Sequence, residues 1–123
     1  MHLAATQAAE TAMRRAGQAP PAPIAIEAQI DTGAGSCAIQ QGLAQQLNLK
    51  PVGQARLNTP TSLGVPADVY AVRLVFPDQS VLELVVIEAP LRGQSLQCLI
   101  GRDILAGGIF VYNGLQNEYT LVL

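Results

Sequence analysis

The stretch Glu27-Ala28-Gln29-Ile30-Asp31-Thr32-Gly33-Ala34-Gly35-Ser36-Cys37-Ala38-Ile39 decides how this chain is read. Ile24, Ile26, Ala28 and Ile30 fall on one side of the segment leading into it, and Ala25, Glu27 and Gln29 on the other. That alternation predicts a strand with one buried face. The strand runs straight into Asp31 and a tight loop, Thr32 to Ser36, which holds Gly33 and Gly35. Asp, Thr and Gly all favour turns, so Asp31-Thr32-Gly33 by itself reads as a surface turn. The sharper reading is chemical. A strand ending in Asp delivers a carboxylate to the rim of a sheet. Gly33 lets the backbone turn and approach closely, Ala34 leaves room for a substrate, and the Thr32 hydroxyl can lock a neighbouring loop by hydrogen bonding.

A lone carboxylate does no acid–base chemistry of the two-carboxylate kind. Two carboxylates about 3 Å apart cannot both ionise comfortably, so they share a proton. The ionised member activates a water. The protonated one hydrogen-bonds to a substrate carbonyl and later helps the amine leave. The pair titrates as a unit. The catalytic reading of Asp31 therefore requires a second carboxylate. Within the chain the other aspartates are poor partners. Asp68 and Asp78 stand in turn contexts, and Asp103 begins a short helix, where capping or a charge pair with a nearby Arg accounts for it.

Composition narrows the function classes. At 123 residues the chain fits one domain of ordinary size. Hydrophobic residues are 50% and charged residues 13%, too apolar for a disordered chain and suited to self-association. The seven Lys and Arg are spread thinly around a net charge of −2, and Trp is absent, so nucleic-acid binding has no footprint. The two cysteines, Cys37 and Cys98, form no C-x-x-C pair and the one histidine is His2, so no metal site or cofactor is expected. Both cysteines read as small buried apolar residues, in preference to the one disulfide that two cysteines would allow. No apolar run reaches membrane-spanning length, and the N-terminus has no basic start followed by an apolar block. No membrane partner and a cytoplasmic location are the expectation.

Residues 1–23 read as a tail outside the main core. Residues 1–17 are Ala-rich with strong helix formers, and Pro20, Pro21 and Pro23 make a stiff linker. The folded domain is expected over residues 24–123. After the Asp31 loop, Ile39, Leu43 and Leu47 recur at helical spacing, which predicts a short amphipathic helix ended by Asn48 and Pro51. Residues 52–66 read as a projecting hairpin around Leu57-Asn58-Thr59-Pro60-Thr61-Ser62-Leu63-Gly64. Tyr70, Val72, Leu74 and Phe76 alternate into the turn Pro77–Ser80, and Leu82, Leu84 and Val86 return, predicting a β-hairpin. Leu96 to Ile100 is a buried strand, followed by a helical turn at Ile104–Ala106 and strands at Ile109–Tyr112 and Tyr119–Leu123.

Two segments in this order carry a resemblance. Ile30-Asp31-Thr32-Gly33-Ala34 and Leu99-Ile100-Gly101-Arg102-Asp103-Ile104-Leu105 resemble the paired motifs of the retropepsin-like aspartic proteases. The likeness covers residues 24–123 and is similar in character to the cellular and bacterial members, which also insert a helix where Gln40 to Leu47 stands. It implies a mainly β, closed acid-protease barrel with one short amphipathic helix and a short C-terminal helix. It further implies an aspartic endopeptidase working as a homodimer on a peptide or protein substrate. The missing carboxylate is then Asp31 of a second chain, with Thr32, Gly33 and Ala34 completing each active-site loop. Residues 57–64 correspond to the substrate-covering flap. Leu99, Ile100 and Gly101 thread beneath the loop, Arg102 and Asp103 support it, and Tyr119 to Leu123 is a candidate for the dimer interface.

Retroviral members often carry an acid soon after the Ala, whereas Gly35 and Ser36 stand here, so Arg102 needs another partner, a backbone carbonyl or Asp103 of a neighbouring chain. Two alternatives stand beside the endopeptidase: a non-catalytic dimerisation or peptide-binding module on the same fold, and a protease limited to processing its own Gln18–Pro23 region.

Overall fold

The computed structural model describes residues 1–59, 62–91 and 95–123. In chain order its elements are β1 (His2–Ala5), α1 (Gln7–Arg15), β2 (Ile24–Ala25), β3 (Ala28–Ile30), β4 (Ala38–Gln40), α2 (Leu43–Gln46), β5 (Gly53–Thr59), β6 (Ser62–Val75), β7 (Val81–Ala89), β8 (Cys98–Ile100), α3 (Arg102–Leu105), β9 (Ile109–Asn113) and β10 (Glu118–Val122). The chain is mainly β and its fold is retropepsin-like. The principal sheet runs β2-β1-β6-β7-β4-β8-β3, with β5 paired to β6 off that path, while β9 and β10 pair with each other.

The two ends of that sheet, β2 and β3, are halves of one segment, Ile24 to Ile30. Ile24 and Ala25 pair with β1. The Ile26 N–H donates to the Met1 carbonyl at 3.0 Å, and the Glu27 carbonyl accepts from Gln97 N–H at 2.8 Å. From Ala28 onward the segment pairs in parallel with β8. The strand expected from the alternation thus changes partners midway, and the curled sheet returns onto itself there.

The buried faces are those the periodicity predicts. Tyr70, Val72 and Leu74 on β6, Phe76 just beyond its end, and Val86 on β7 point inward to meet Ile39, Leu43, Leu47, Cys98 and Ile100. The expected helix is shorter than its pattern. Ile39 belongs to β4, paired opposite Cys98, and Gly42 at φ 95° breaks the chain before α2. Helix α2 ends as expected at Asn48 (φ 55°). There Leu49 N–H bonds the Ala44 carbonyl and Asn48 N–H the Gln45 carbonyl, both at 3.0 Å, a left-handed C-terminal cap.

The N-terminal residues are not a tail outside the core. His2–Ala5 is an inner strand between β2 and β6, and Leu3 is 0% exposed. Burying one such side chain contributes about 1.5–3 kcal/mol, and the following helix docks back on the sheet. Thr6 caps α1 through Oγ1, which accepts from Ala9 N–H at 3.1 Å. The Glu83 carboxylate of β7 accepts from Gln7 N–H at 2.7 Å, placing negative charge at the helix N-terminus. Glu10 pairs with Arg73 of β6 and with Arg14. Gly17 (φ 77°) stops the helix, with Gln18 N–H on the Met13 carbonyl at 2.8 Å. Three apolar residues in a row hid this strand, because Leu3-Ala4-Ala5 shows no alternation.

Candidate active site

Asp31 follows β3 directly. Its N–H donates to the Ile100 carbonyl at 2.9 Å, which continues the β3–β8 ladder by one bond. The loop then curls back on the side chain. Asp31 Oδ1 accepts from Gly33 N–H at 2.9 Å, and the Asp31 carbonyl accepts from Ala34 N–H at 3.2 Å. A Cβ on residue 33 would stand 3.2 Å from Oδ1, so glycine keeps the carboxylate uncrowded. Among the described residues the Asp31 carboxylate has no other hydrogen bond or ion pair.

The loop rests on the start of α3. Arg102 N–H donates to the Ala34 carbonyl at 2.8 Å, and its guanidinium Nη1 to the Thr32 carbonyl at 2.9 Å. Gly101 passes so close that a Cβ there would lie 2.7 Å from the Ser36 carbonyl carbon and oxygen and 2.9 Å from the Ala34 oxygen. Glycine is required here by a backbone crossing, not by its own φ, which is −95°. Leu99 and Ile100 supply the strand beneath the loop, opposite Gln29 and Ile30.

Cys37 closes the loop. Its main-chain N–H donates to Asp103 Oδ2 at 3.0 Å and its thiol to Asp103 Oδ1 at 2.9 Å, while its sulfur accepts from Gly101 N–H at 3.3 Å. Asp103 also accepts from Ile104 N–H at 2.9 Å. Both cysteines are free and buried. Desolvation pushes the Cys37 thiol up to about 12, helped by the hydrogen bond and charge of Asp103. Burial, then the charge of Asp103, pushes Cys98 to about 12 as well.

The ion pair considered for Arg102 and Asp103 is absent among the described residues: the guanidinium holds a carbonyl, as expected where the acid is missing, and the carboxylate holds two N–H groups and a thiol. Reading Cys37 as a space-filling residue missed its clamp on Asp103. Only the polarity of a thiol next to a loop could have signalled it. Asp68 also departs from its expected turn, since it lies within β6 opposite Gln54. Asp78 does sit in the turn between β6 and β7, its carboxyl held below the usual range by hydrogen bonds from the Ser80 hydroxyl and N–H.

Leu57, Asn58, Thr59, Ser62, Leu63 and Gly64 lie on the β5–β6 hairpin, and Pro60 and Thr61 fall outside the described residues. Leu57 pairs with Val65 but Thr59 with Ser62, so β6 carries one extra residue. Gly64, at φ 65°, supplies the left-handed backbone this bulge needs. Its N–H donates to Asn58 Oδ1 at 2.9 Å and its carbonyl accepts from Arg56 Nη1 at 2.8 Å. Leu63 is 86% exposed. No helix is long and apolar enough to cross a membrane among the described residues.

No curated protein matches the chain. The model of one family, described as aspartyl protease, matches residues 23–104, about two thirds of the sequence, from the linker's last proline through the α3 motif. The chain is therefore a member of the aspartyl protease family, of retropepsin-like type.

Proposed function

We propose that the protein is an aspartic endopeptidase whose active site forms between two copies of the chain. The observation that carries this is the Asp31 carboxylate: fixed by its own loop, yet without any partner but Gly33 N–H among the described residues. Each copy contributes one Asp31. The two share a proton, the ionised member takes a proton from a bound water, and the other donates a hydrogen bond to the scissile carbonyl. Water attacks the carbonyl carbon, and the acid returns a proton to the leaving amine. Thr32, which is exposed and whose hydroxyl is unengaged among the described residues, bonds across to the partner loop. Gly33 and Ala34 shape the floor of the cleft, and the substrate lies extended beneath the β5–β6 hairpin, paired through its main chain.

Support for association comes from the C-terminal hairpin. Phe110 and Leu121 face the body of the protein, whereas Ile109, Val111 and Val122 project from the opposite face and are exposed. Such an apolar face suits burial against a second copy.

The test is cleavage of an unstructured protein substrate followed by mass spectrometry, with and without a transition-state peptide inhibitor. Asp31→Asn should abolish cleavage while leaving thermal unfolding intact, and Val111→Asp should shift the chain to monomer and abolish cleavage with it. Undiminished cleavage by Asp31→Asn would overturn the proposal. A dimer with no cleavage of any substrate would instead favour the peptide-binding module, and cuts confined to Gln18–Pro23 the self-processing enzyme.

A further inference from the structure

The side of the sheet that carries Asp31 is lined with carboxamides. Glu27, Gln29 and Asp31 alternate with Ile26 and Ile30, which pack on the core side. Gln29 pairs with Leu99, and Leu99 in turn with Ala38. Two residues further from Asp31, Gln97 N–H donates to the Glu27 carbonyl at 2.8 Å and Gln40 N–H to the Gln97 carbonyl at 2.9 Å. Two rows therefore cross this side of the sheet. Gln29, Leu99 and Ala38 form the row beside Asp31, and Glu27, Gln97 and Gln40 the row behind it.

Gln29 is exposed and its side chain has no partner among the described residues. The other two glutamines are held by one end only. Gln97 Oε1 accepts from Glu27 N–H at 3.1 Å, and Gln40 Oε1 from Leu91 N–H at 2.6 Å. Each bond fixes the amide oxygen against the main chain and leaves the NH2 group without an acceptor among the described residues. Both residues are half-buried, yet neither NH2 group is sealed from solvent. Both are open to an incoming acceptor. Leu99, half-buried between them and Gln29, adds an aliphatic strip.

Such a surface suits an uncharged side chain with a short methylene stem and a carboxamide of its own. The stem lies on Leu99, and the carboxamide offers a glutamine both a donor and an acceptor. An aliphatic side chain would cover these polar groups without bonding them, which is costly. An acidic one would meet the Glu27 carboxylate, which has no ion-pair partner among the described residues.

We propose that this face is the specificity surface of the active site and selects asparagine or glutamine side chains beside the bond to be cut. The inference rests on the endopeptidase reading and adds a substrate class to it. Gln29 is the specificity-determining residue nearest the chemistry, since two residues along a strand span about 7 Å. Gln97 and Gln40 form the outer part of the surface.

The test is cleavage-site profiling of a mixed peptide library by the full chain, followed by matched peptides that differ at one position. Asparagine and glutamine should be enriched beside the cut. Leucine or glutamate at that position should lower kcat/KM about tenfold, the effect of a lost hydrogen bond. Gln29→Leu should erase the preference for glutamine over leucine, and Gln97→Leu carries the test should that variant fail to fold. A profile without such enrichment, or an unchanged preference in the folded variants, would refute the proposal. Binding to the Asp31→Asn chain, followed through the side-chain amide NMR signals of Gln29 and Gln97, separates this surface from the chemistry. Shifts with the glutamine peptide and not its leucine analogue, without cutting by the unmodified chain, would keep the surface and remove the endopeptidase. Cutting that is indifferent to glutamine would do the reverse.

Discussion

Cys37 gives both its main-chain N–H (3.0 Å) and its thiol (2.9 Å) to the carboxylate of Asp103, which lies 66 positions later. This clamp joins the end of the Asp31 loop to the first turn of α3. Removing an acceptor from a buried N–H costs about 1–3 kcal/mol. Asp103→Ala should therefore lower unfolding free energy by about 1–3 kcal/mol in urea titrations. Asp103→Asn, which keeps one acceptor oxygen, should cost less. A double-mutant cycle with Cys37→Ala should give a coupling of about 0.5 kcal/mol or more. A simple helix cap at Asp103 would give none.

The same burial sets the protein's response to alkali. The thiols of Cys37 and Cys98 are raised from 9.0 to about 12. Above pH 9 the unfolded chain loses these protons while the folded chain keeps them, so the unfolded state binds fewer protons and stability falls with rising pH. The contribution is fully present below about pH 9 and is lost progressively toward pH 12. Melting temperature should decline across that window, and less steeply in Cys98→Ala. In the folded protein at pH 8 neither thiol should react with a chromogenic disulfide reagent, and both should react once it is unfolded.

Gly101 has no room for a methyl group. Its Cβ would sit 2.7 Å from backbone atoms of Ser36, and backbone cannot rotate aside as a side chain can. Overpacking typically costs about 1–3 kcal/mol, and Gly101→Ala should reach or pass the upper end. The displaced atoms belong to the Asp31 loop, so cleavage should fall more than stability alone explains. Activity per folded molecule, measured below the melting transition, checks this. The equivalent change at Gly35, where the nearest atom is a flexible Arg102 Nη2 at 3.6 Å, should leave stability within about 0.5 kcal/mol.

What was legible in the sequence follows from which interactions are local. The alternation of Tyr70, Val72, Leu74 and Phe76 is a one-strand pattern and gave the buried face directly. Asn48 as a helix stop and Gly64 near a hairpin tip are likewise local backbone requirements. The pairing of the Asp31 loop with Leu99–Leu105 was readable because both segments carry a distinctive motif. Contacts between unmarked residues were not. Cys37 on Asp103 depends on how two distant segments meet, whereas a backbone carbonyl as the partner of Arg102 was legible from the missing acid at Gly35 and Ser36. Residues 1–5 were misread for a related reason. An Ala-rich strand has helix-forming composition, and only its partners, β2 and β6, make it extended.

That last point gives the most direct test of the fold. Leu3 is fully buried and opposes Leu74 of β6 on one side and Ile24 of β2 on the other. Were it part of a peripheral tail, Leu3→Ala would be neutral. As a core residue its truncation removes the packing of its methyl groups and leaves a cavity, a change that costs about 2–5 kcal/mol. The exposed His2 on the same strand provides the control, and His2→Ala should change stability by less than about 0.5 kcal/mol. Because β1 lies between β2 and β6, Leu3→Ala should also loosen the Ile24–Ala25 end of the segment that leads to Asp31. Hydrogen exchange should then rise first at Ile24 and Ile26 and only later at the β8 amides that hold β3. Equal melting of Leu3→Ala and the unmodified chain would remove β1 from the core.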